Sequence, residues 1–383
     1  MIPAQSEIGQ IPPPLKVLWL IKGLGAGGAE TLLVQHARYR DPGLVDPAVA
    51  YLLSAKSTLV PRLQEYGCDP VIDLGARSSW DVRWIVRLAR LLRSTHFDLV
   101  HAHSPLAAIG ARLAVRSRPR ARRPRIVVTE HNVWSSHTTL PRLADRVTAG
   151  RSETHLAVSS AVRDSLPAAI RSRTRVVRYG IETGEVRSEH EHRADERRRL
   201  GIADAEVLIG TVANLRATKG YPDLLEAAAQ VIREEPAARF VAVGRGPLEA
   251  DLRARHASLG LGDRFTFLGF RPDAVRVMSA FDVFCLPSHY EGLPIALMEA
   301  LALGLPVVST RVGGIAELVT DGEDAVLVPP SAPALLARAL IDLVRDPPRR
   351  AAMAEHARAR SDELDAARSI RAVEAVYREV TGR

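Results

Sequence analysis

Two α/β domains, each built on a doubly wound parallel sheet, are the architecture that this 383-residue sequence predicts. Three observations carry that expectation. The chain is longer than one hydrophobic core ordinarily serves, so two cores of roughly 180 residues each are the natural division. Its strand-length segments read as continuous apolar runs, the mark of strands covered on both faces. Each run is followed by a helical stretch, and the alternation breaks once, in a charge-dense segment, before it restarts.

The elements follow in order. KVLWLI is the first strand, a glycine loop comes next, and a helix starts at Ala29. AVAYLL, FDLVHAH, RIVVTEH and HLAVSS are further strands, with an amphipathic helix from about Trp80 to Arg93 and another from Pro105. After RVVRYGIE the segment TGEVRSEHEHRADERRR, Thr183 to Arg199, turns polar, and a surface linker is expected there. The domains are accordingly placed at 1–182 and 206–361, joined by a linker at 183–205. VLIGTVANL restarts the alternation, followed by a helix from Pro222, FVAVGRGP, a helix from Leu248, FTFLG and two more strands, Asp282 to Leu286 and Pro306 to Thr310. Between those two lies a short helix, Leu293 to Leu303, with Pro294 in its first turn and Gly304 as its stop. The tail from Ala332 is helical.

Composition narrows the chemistry. With 46% hydrophobic and 25% charged residues the chain is an ordinary globular protein, and Cys68 and Cys285 form no CxxC unit. A reducing, cytoplasmic compartment follows, with Cys285 a core residue inside FDVFCL. MIPAQSEIGQ lacks the basic and apolar parts of a signal peptide, IPPP reads as an extended arm, and no apolar run is long enough to span a membrane. His190 and His192 are read as solvated linker residues, not metal ligands.

The net charge of +8 is concentrated: between Arg77 and Arg125 twelve arginines face only Asp81 and Asp98, a local excess of ten. Arg83, Arg87 and Arg90 share one face of the helix that begins near Trp80, away from Trp84, Ile85, Leu88 and Leu92. The remainder is the loop RSRPRARRPR. An anionic lipid surface is the partner this array suits, ahead of non-specific binding to nucleic acid.

The chemistry is concentrated in SHYEGLPIALMEALALGLPVVSTRVGG, Ser288 to Gly314. Glu291 and Gly292 lead directly into the open end of the short helix, where unpaired N–H groups attract phosphate and glycine admits close approach. Glu299, further in, is placed to accept hydrogen bonds from a ribose diol. In VANLRATKG, Arg216 and Lys219 lie on the loop that leaves the second domain's first strand, where both reach a diphosphate and stabilise the charge that develops as it departs. His101, His103 and His131 end strands of the first domain. Gly23, Gly25 and Gly28 satisfy G-x-G-x-x-G, so a nicotinamide dinucleotide site must be weighed; yet that site needs an acid at the end of the second strand, and Asp46 stands at the strand's other end.

EGLPIALME resembles the E-x7-E motif of the retaining GT-B glycosyltransferases of family 4, and the resemblance runs from about Val17 to Pro330. It implies two Rossmann-like domains, the first binding acceptor and the second a nucleotide sugar, with a C-terminal helix, about Asp362 to Val380, crossing back onto the first. It implies transfer of a sugar, with retention, from a UDP or GDP donor to an acceptor hydroxyl, most naturally in the synthesis of an envelope glycolipid, polysaccharide or glycoconjugate. By resemblance Glu291 contacts the transferred sugar, Glu299 the ribose, and Gly292 and Leu293 the phosphates through their N–H groups. His131 sits beside the transferred sugar, Gly27 and Gly28 form the turn near the donor phosphates, and His103 is an acceptor-side candidate. The sequence departs from the family at Asn214, where an arginine is usual, and Arg216 is the candidate replacement. No metal or cofactor is implied, the nucleotide sugar being a substrate. A sugar-nucleotide epimerase, a nicotinamide-dependent oxidoreductase, a glycoside hydrolase with paired carboxylates and a silent binding protein are the alternatives; with a lipid-linked acceptor the enzyme would be peripheral on the inner face of the plasma membrane.

Overall fold

The computed structural model describes residues 12–25, 27–134, 144, 147–149 and 154–383. Thirteen strands are described: β1 Leu15–Ile21, β2 Val45–Leu53, β3 Val71–Ala76, β4 Leu99–His103, β5 Arg125–Glu130, β6 Thr154–Ala157, β7 Thr174–Val176, β8 Val207–Val212, β9 Ala238–Val243, β10 Phe265–Gly269, β11 Val283–Leu286, β12 Val307–Thr310 and β13 Ala325–Val328. They form a seven-stranded sheet of order β3-β2-β1-β4-β5-β6-β7 and a six-stranded sheet of order β10-β9-β8-β11-β12-β13. The pairings are parallel. Each sheet starts at its middle, builds outward to one edge and then resumes on the other side, between β1 and β4 in one and between β8 and β11 in the other. Ligands of doubly wound sheets bind outside the strand carboxyl ends at that switch point. Leaving it are the glycine loop after β1, the Lys219 loop after β8 and the Glu291 loop after β11.

The cores explain the apolar runs. In the first, Trp84, Leu88 and Leu92 of the helix Arg83–Ser94 pack with Leu18, Leu20, Val100 and Val128, leaving the arginines outward as the periodicity predicts. In the second, Leu224 and Leu225 of the helix Tyr221–Glu234 and Leu340 of the helix Pro333–Arg345 cover Phe240, Phe265 and Cys285. Both cysteines are free and buried, and burial pushes the Cys68 thiol up to about 12 and raises that of Cys285.

The segment expected to be a surface linker is folded. Thr183–Ser188 and Arg193–Arg199 are helices. Glu196 is buried and accepts from Arg199 at 2.9 Å and from Arg276 at 3.1 Å. Arg193 and Arg197 hold the two oxygens of Asp282 at 2.5 and 2.8 Å, just before β11. Composition misleads here because the charges are paired with one another across the fold.

Close contacts divide the described residues into two units. One holds the chain up to Val128 together with 147–149, Thr154 and Ile370–Arg383; the other holds 129–134, 144 and His155–Ser369. By sheet membership β6 and β7 continue the first sheet. The last helix, Ala366–Thr381, starts later than the expected Asp362, and from Ile370 it belongs to the first unit. There the Tyr377 hydroxyl accepts the Trp19 indole N–H at 3.1 Å and pairs with His101 Nδ1 at 2.5 Å. The basic helix starts at Arg83 instead of Trp80, because Asp81 accepts the Arg83 N–H and ends the preceding turn. The N-terminal arm lies largely outside the described residues.

Candidate active site

In the second unit, the loops after β8 and β11 are joined at several points. The Thr218 carbonyl accepts the His289 N–H at 2.8 Å, and His289 Nε2 meets Asp223 Oδ2 at 2.7 Å. Gly220, at φ +64°, ends the turn Ala217–Lys219; a Cβ on it would lie 1.8 Å from the Pro287 carbonyl oxygen, so no other residue fits. This packing brings the Lys219 ammonium to 2.6 Å from Glu291 Oε1, and the Ser288 hydroxyl donates to the same oxygen at 2.6 Å. Glu291 is buried, and those two partners satisfy its Oε1.

The Glu291–Gly292 loop is enclosed by backbone. A Cβ at Gly292 would stand 1.8 Å from the His131 carbonyl oxygen, and one at Gly313 would stand 1.7 Å from the Glu291 carbonyl oxygen. The backbone of His131 is thereby brought to the loop. Its imidazole, beside the Tyr179 ring at 6.2 Å, is pushed by burial down to about 4 and is neutral at pH 7. Ser288, Gly313 and the His289–Asp223 pair had no role in the sequence reading. The Gly313–Gly314 doublet directly after a strand was the available signal for one of them.

The helix is shorter than expected, Ile295–Ala302, because Pro294 adopts φ −78°, ψ 111° and caps it instead of joining it. Gly292 and Leu293 therefore precede the helix. Its free end is formed by Ile295 and Ala296, since the Leu297 N–H already bonds to the Pro294 carbonyl at 3.2 Å. One turn in, Glu299 is partly accessible, its carboxyl group has no hydrogen bond among the described residues, and burial pushes it up to about 7. A carboxylate so placed gains from any hydroxyl donor that arrives.

Arg216 is not drawn into this cluster. Both it and Asn214 are exposed, and its guanidinium makes no hydrogen bond among the described residues. No group of three or more His, Cys, Asp or Glu side chains placed to hold a metal occurs among the described residues.

In the first unit the glycine loop leads into the helix Gly28–Tyr39, with Gly27 as its N-cap. A Cβ at Gly27 would fall 2.3 Å from Glu30 Oε2. His103 ends β4 beside Ile21 of β1, buried, its ring 4.1 Å from that of His101. β2 ends at Leu53 with no acid, and Asp46 pairs with Lys16 at its start, so the ribose anchor of a nicotinamide site is missing.

Two family models match the chain: Glycosyltransferase Family 4 over residues 24–185 and Glycosyl transferases group 1 over residues 192–360. The α-D-kanosaminyltransferase of Streptomyces kanamyceticus is 35% identical over 43% of this chain and 43% of its own length. The lipopolysaccharide core mannosyltransferase LpsB of Rhizobium meliloti is 29% identical over 64% of this chain and 68% of its own. The match to the kanosaminyltransferase, like that to a Streptomyces fradiae 2-deoxystreptamine N-acetyl-D-glucosaminyltransferase, spans less than half of the relative's length. Among solved structures, Anabaena HepE in complex with UDP and glucose superimposes with a TM-score of 0.84 at 23% identity, covering 95% of this chain and all of its own. The lipopolysaccharide glycosyltransferase WaaG follows at 0.73 and 18%, over 94% and 99%. These neighbours establish the GT-B fold, and neither the epimerase nor the oxidoreductase reading finds support among the matches. No helix of the described residues is long and apolar enough to cross a membrane.

Proposed function

Since the chain belongs to glycosyltransferase family 4, we propose that it moves a hexosyl group, with retention, from a nucleoside-diphosphate sugar to an acceptor hydroxyl. The observation that carries this is the Lys219–Glu291 pair at 2.6 Å, in the loop before a helix whose first turn leads to the unbonded Glu299 carboxyl group. An arriving diphosphate competes for the Lys219 ammonium. Released from it, Glu291 keeps the Ser288 hydroxyl and turns its remaining acceptor capacity to the sugar hydroxyls. Lys219 and the N–H groups of Ile295 and Ala296 then face the charge that grows on the leaving phosphate, and preorganised donors of this kind act most strongly as the bond breaks. Glu299 accepts from the ribose diol, and the neutral His131 imidazole bonds to a sugar hydroxyl. Arg216, exposed, serves as a second cation only by moving onto the bound diphosphate. A diphosphate so neutralised departs without a metal.

UDP is the favoured donor nucleotide, a choice supported by the UDP and UDP-glucose complexes of HepE. The acceptor we assign is a lipid-linked envelope glycan handled at the inner face of the plasma membrane, supported by the likeness to LpsB and by the basic first unit. Calorimetric titration of UDP, GDP and NAD into wild type and Glu299→Ala tests the reading. UDP binding that weakens in the variant supports it; binding of NAD alone overturns it.

A further inference from the structure

The helix Arg83–Ser94 and the turn before it expose apolar side chains that the fold does not use. Trp80 is 71% exposed, Val82 66% and Val86 52%, whereas Trp84, Leu88 and Leu92 of the same helix are at 1% or less. Val82 and Val86 are four residues apart and so stand on one face, with Arg83 and Arg90 beside them at helical spacing. Arg77, Arg83, Arg87, Arg90 and Arg93 are all exposed. The acid among them, Asp81, is already bonded to Arg83 through both its oxygens at 2.9 Å. Arg87 donates to the Leu74 carbonyl, but Arg90 and Arg93 have no side-chain partner among the described residues. In the following loop Arg118 and Arg123 donate to backbone carbonyls, while Arg116, Arg120, Arg122 and Arg125 are exposed without a side-chain partner among the described residues; the charge therefore spans helix and loop, and Trp80, Val82 and Val86 put exposed apolar surface beside it at the helix.

We propose that this face, centred on Trp80, Val82, Val86, Arg90 and Arg93, docks on an anionic phospholipid bilayer. Tryptophan and aliphatic side chains partition into the headgroup boundary, and arginines around them meet lipid phosphates, a combination that defines interfacial helices. Nucleic acid would use the arginines and leave the valines against water. The location reinforces the choice of partner. β3 is the edge strand of its sheet, and the turn and helix that follow it keep Trp80, Val82 and Val86 exposed. The turn with Trp80 leaves the carboxyl end of β3, the same end at which β1 gives the glycine loop and β4 gives His103. A bilayer docked there lies beside the strand ends on which a lipid-linked acceptor must be received; that consequence rests on the transferase reading above, while the docking itself does not.

Sedimentation with vesicles of equal parts phosphatidylglycerol and phosphatidylcholine tests the proposal, with phosphatidylcholine alone and a DNA duplex as comparisons. Wild type should bind the anionic vesicles at low salt, and Arg90→Glu with Arg93→Glu should weaken that binding by about tenfold or more. Trp80→Ser should weaken it as well. Tryptophan emission should shift to shorter wavelength on binding, and Trp80→Phe should remove the shift. Failure to sediment, equal binding to neutral vesicles, indifference to both substitutions or tighter binding to the duplex would each overturn the docking face. UDP binding, measured on the same preparations, should persist in every variant. It confirms folding and separates the two ideas: loss of lipid binding with UDP binding intact removes only this proposal, and lipid binding without UDP binding removes only the donor assignment.

Discussion

Lys219 and Glu291, 72 residues apart in the chain, share a hydrogen bond of 2.6 Å, so the cation that would hold a departing phosphate is stored on the carboxylate that would hold the sugar. The switch-point topology brings the two residues together, because β8 and β11 are neighbours and their loops leave the same end.

Lys219→Ala removes both roles. Transfer activity should fall by two to three decades in kcat/KM, the usual effect of losing one donor of this kind. Glu291 is also left buried with only Ser288, so thermal stability should fall by about 1–3 kcal/mol. Near wild-type turnover would remove Lys219 from the mechanism.

Glu299 predicts a pH signature. Its folded-state value of about 7 lies above the ordinary 4.5, so the ionised form is disfavoured in the fold. That penalty is absent below the unfolded value, grows as pH rises between the two, and is complete above the folded value. Glu299→Gln should therefore raise stability by on the order of 1–3 kcal/mol at pH 8 and leave it unchanged near pH 4. UDP should bind wild type more tightly as pH rises through 7, because ribose hydroxyls favour the carboxylate. The variant should bind more weakly and lack that component, which calorimetry at several pH values reads directly.

Gly292→Ala and Gly313→Ala should each damage the site without touching a charged group. The added carbon would meet backbone at 1.8 Å in one case and 1.7 Å in the other, and Gly313 is also at φ +52°. Backbone cannot swing aside as a side chain can, so a loss of at least about 1–3 kcal/mol and of UDP binding is expected. Unchanged denaturation curves would contradict the enclosed-loop geometry.

Tyr377→Phe tests the anchoring of the last helix. The hydroxyl bonds to two buried groups, Trp19 Nε1 and His101 Nδ1, and its removal takes away both bonds. A loss of about 1–3 kcal/mol is expected in chemical denaturation, with UDP affinity unchanged.

Which features were legible follows from distance along the chain. Glu291, Gly292 and Glu299 stood out because one short motif carries them, and the strands could be read because their apolar runs are local. The buried face Trp84, Leu88, Leu92 was equally plain from its spacing. The helical character of 183–199 was hidden, since Glu196 and Asp282 neutralise arginines that composition alone assigns to water. The start of the Ile295–Ala302 helix was missed by two residues, because a proline suits either the first turn or the residue just before it.

The sequence by itself determined the two parallel sheets and the family, because strand patterns, glycine turns and the E-x7-E spacing are short-range properties. Only the tertiary structure decided that Lys219 rests on Glu291, that the His131 and Glu291 carbonyls leave no room for a side chain at Gly292 and Gly313, and that Trp80, Val82 and Val86 stay outside the core. Those outcomes depend on which loops the strand order makes neighbours and on which helix faces remain uncovered, and both are set by packing between segments far apart in the chain.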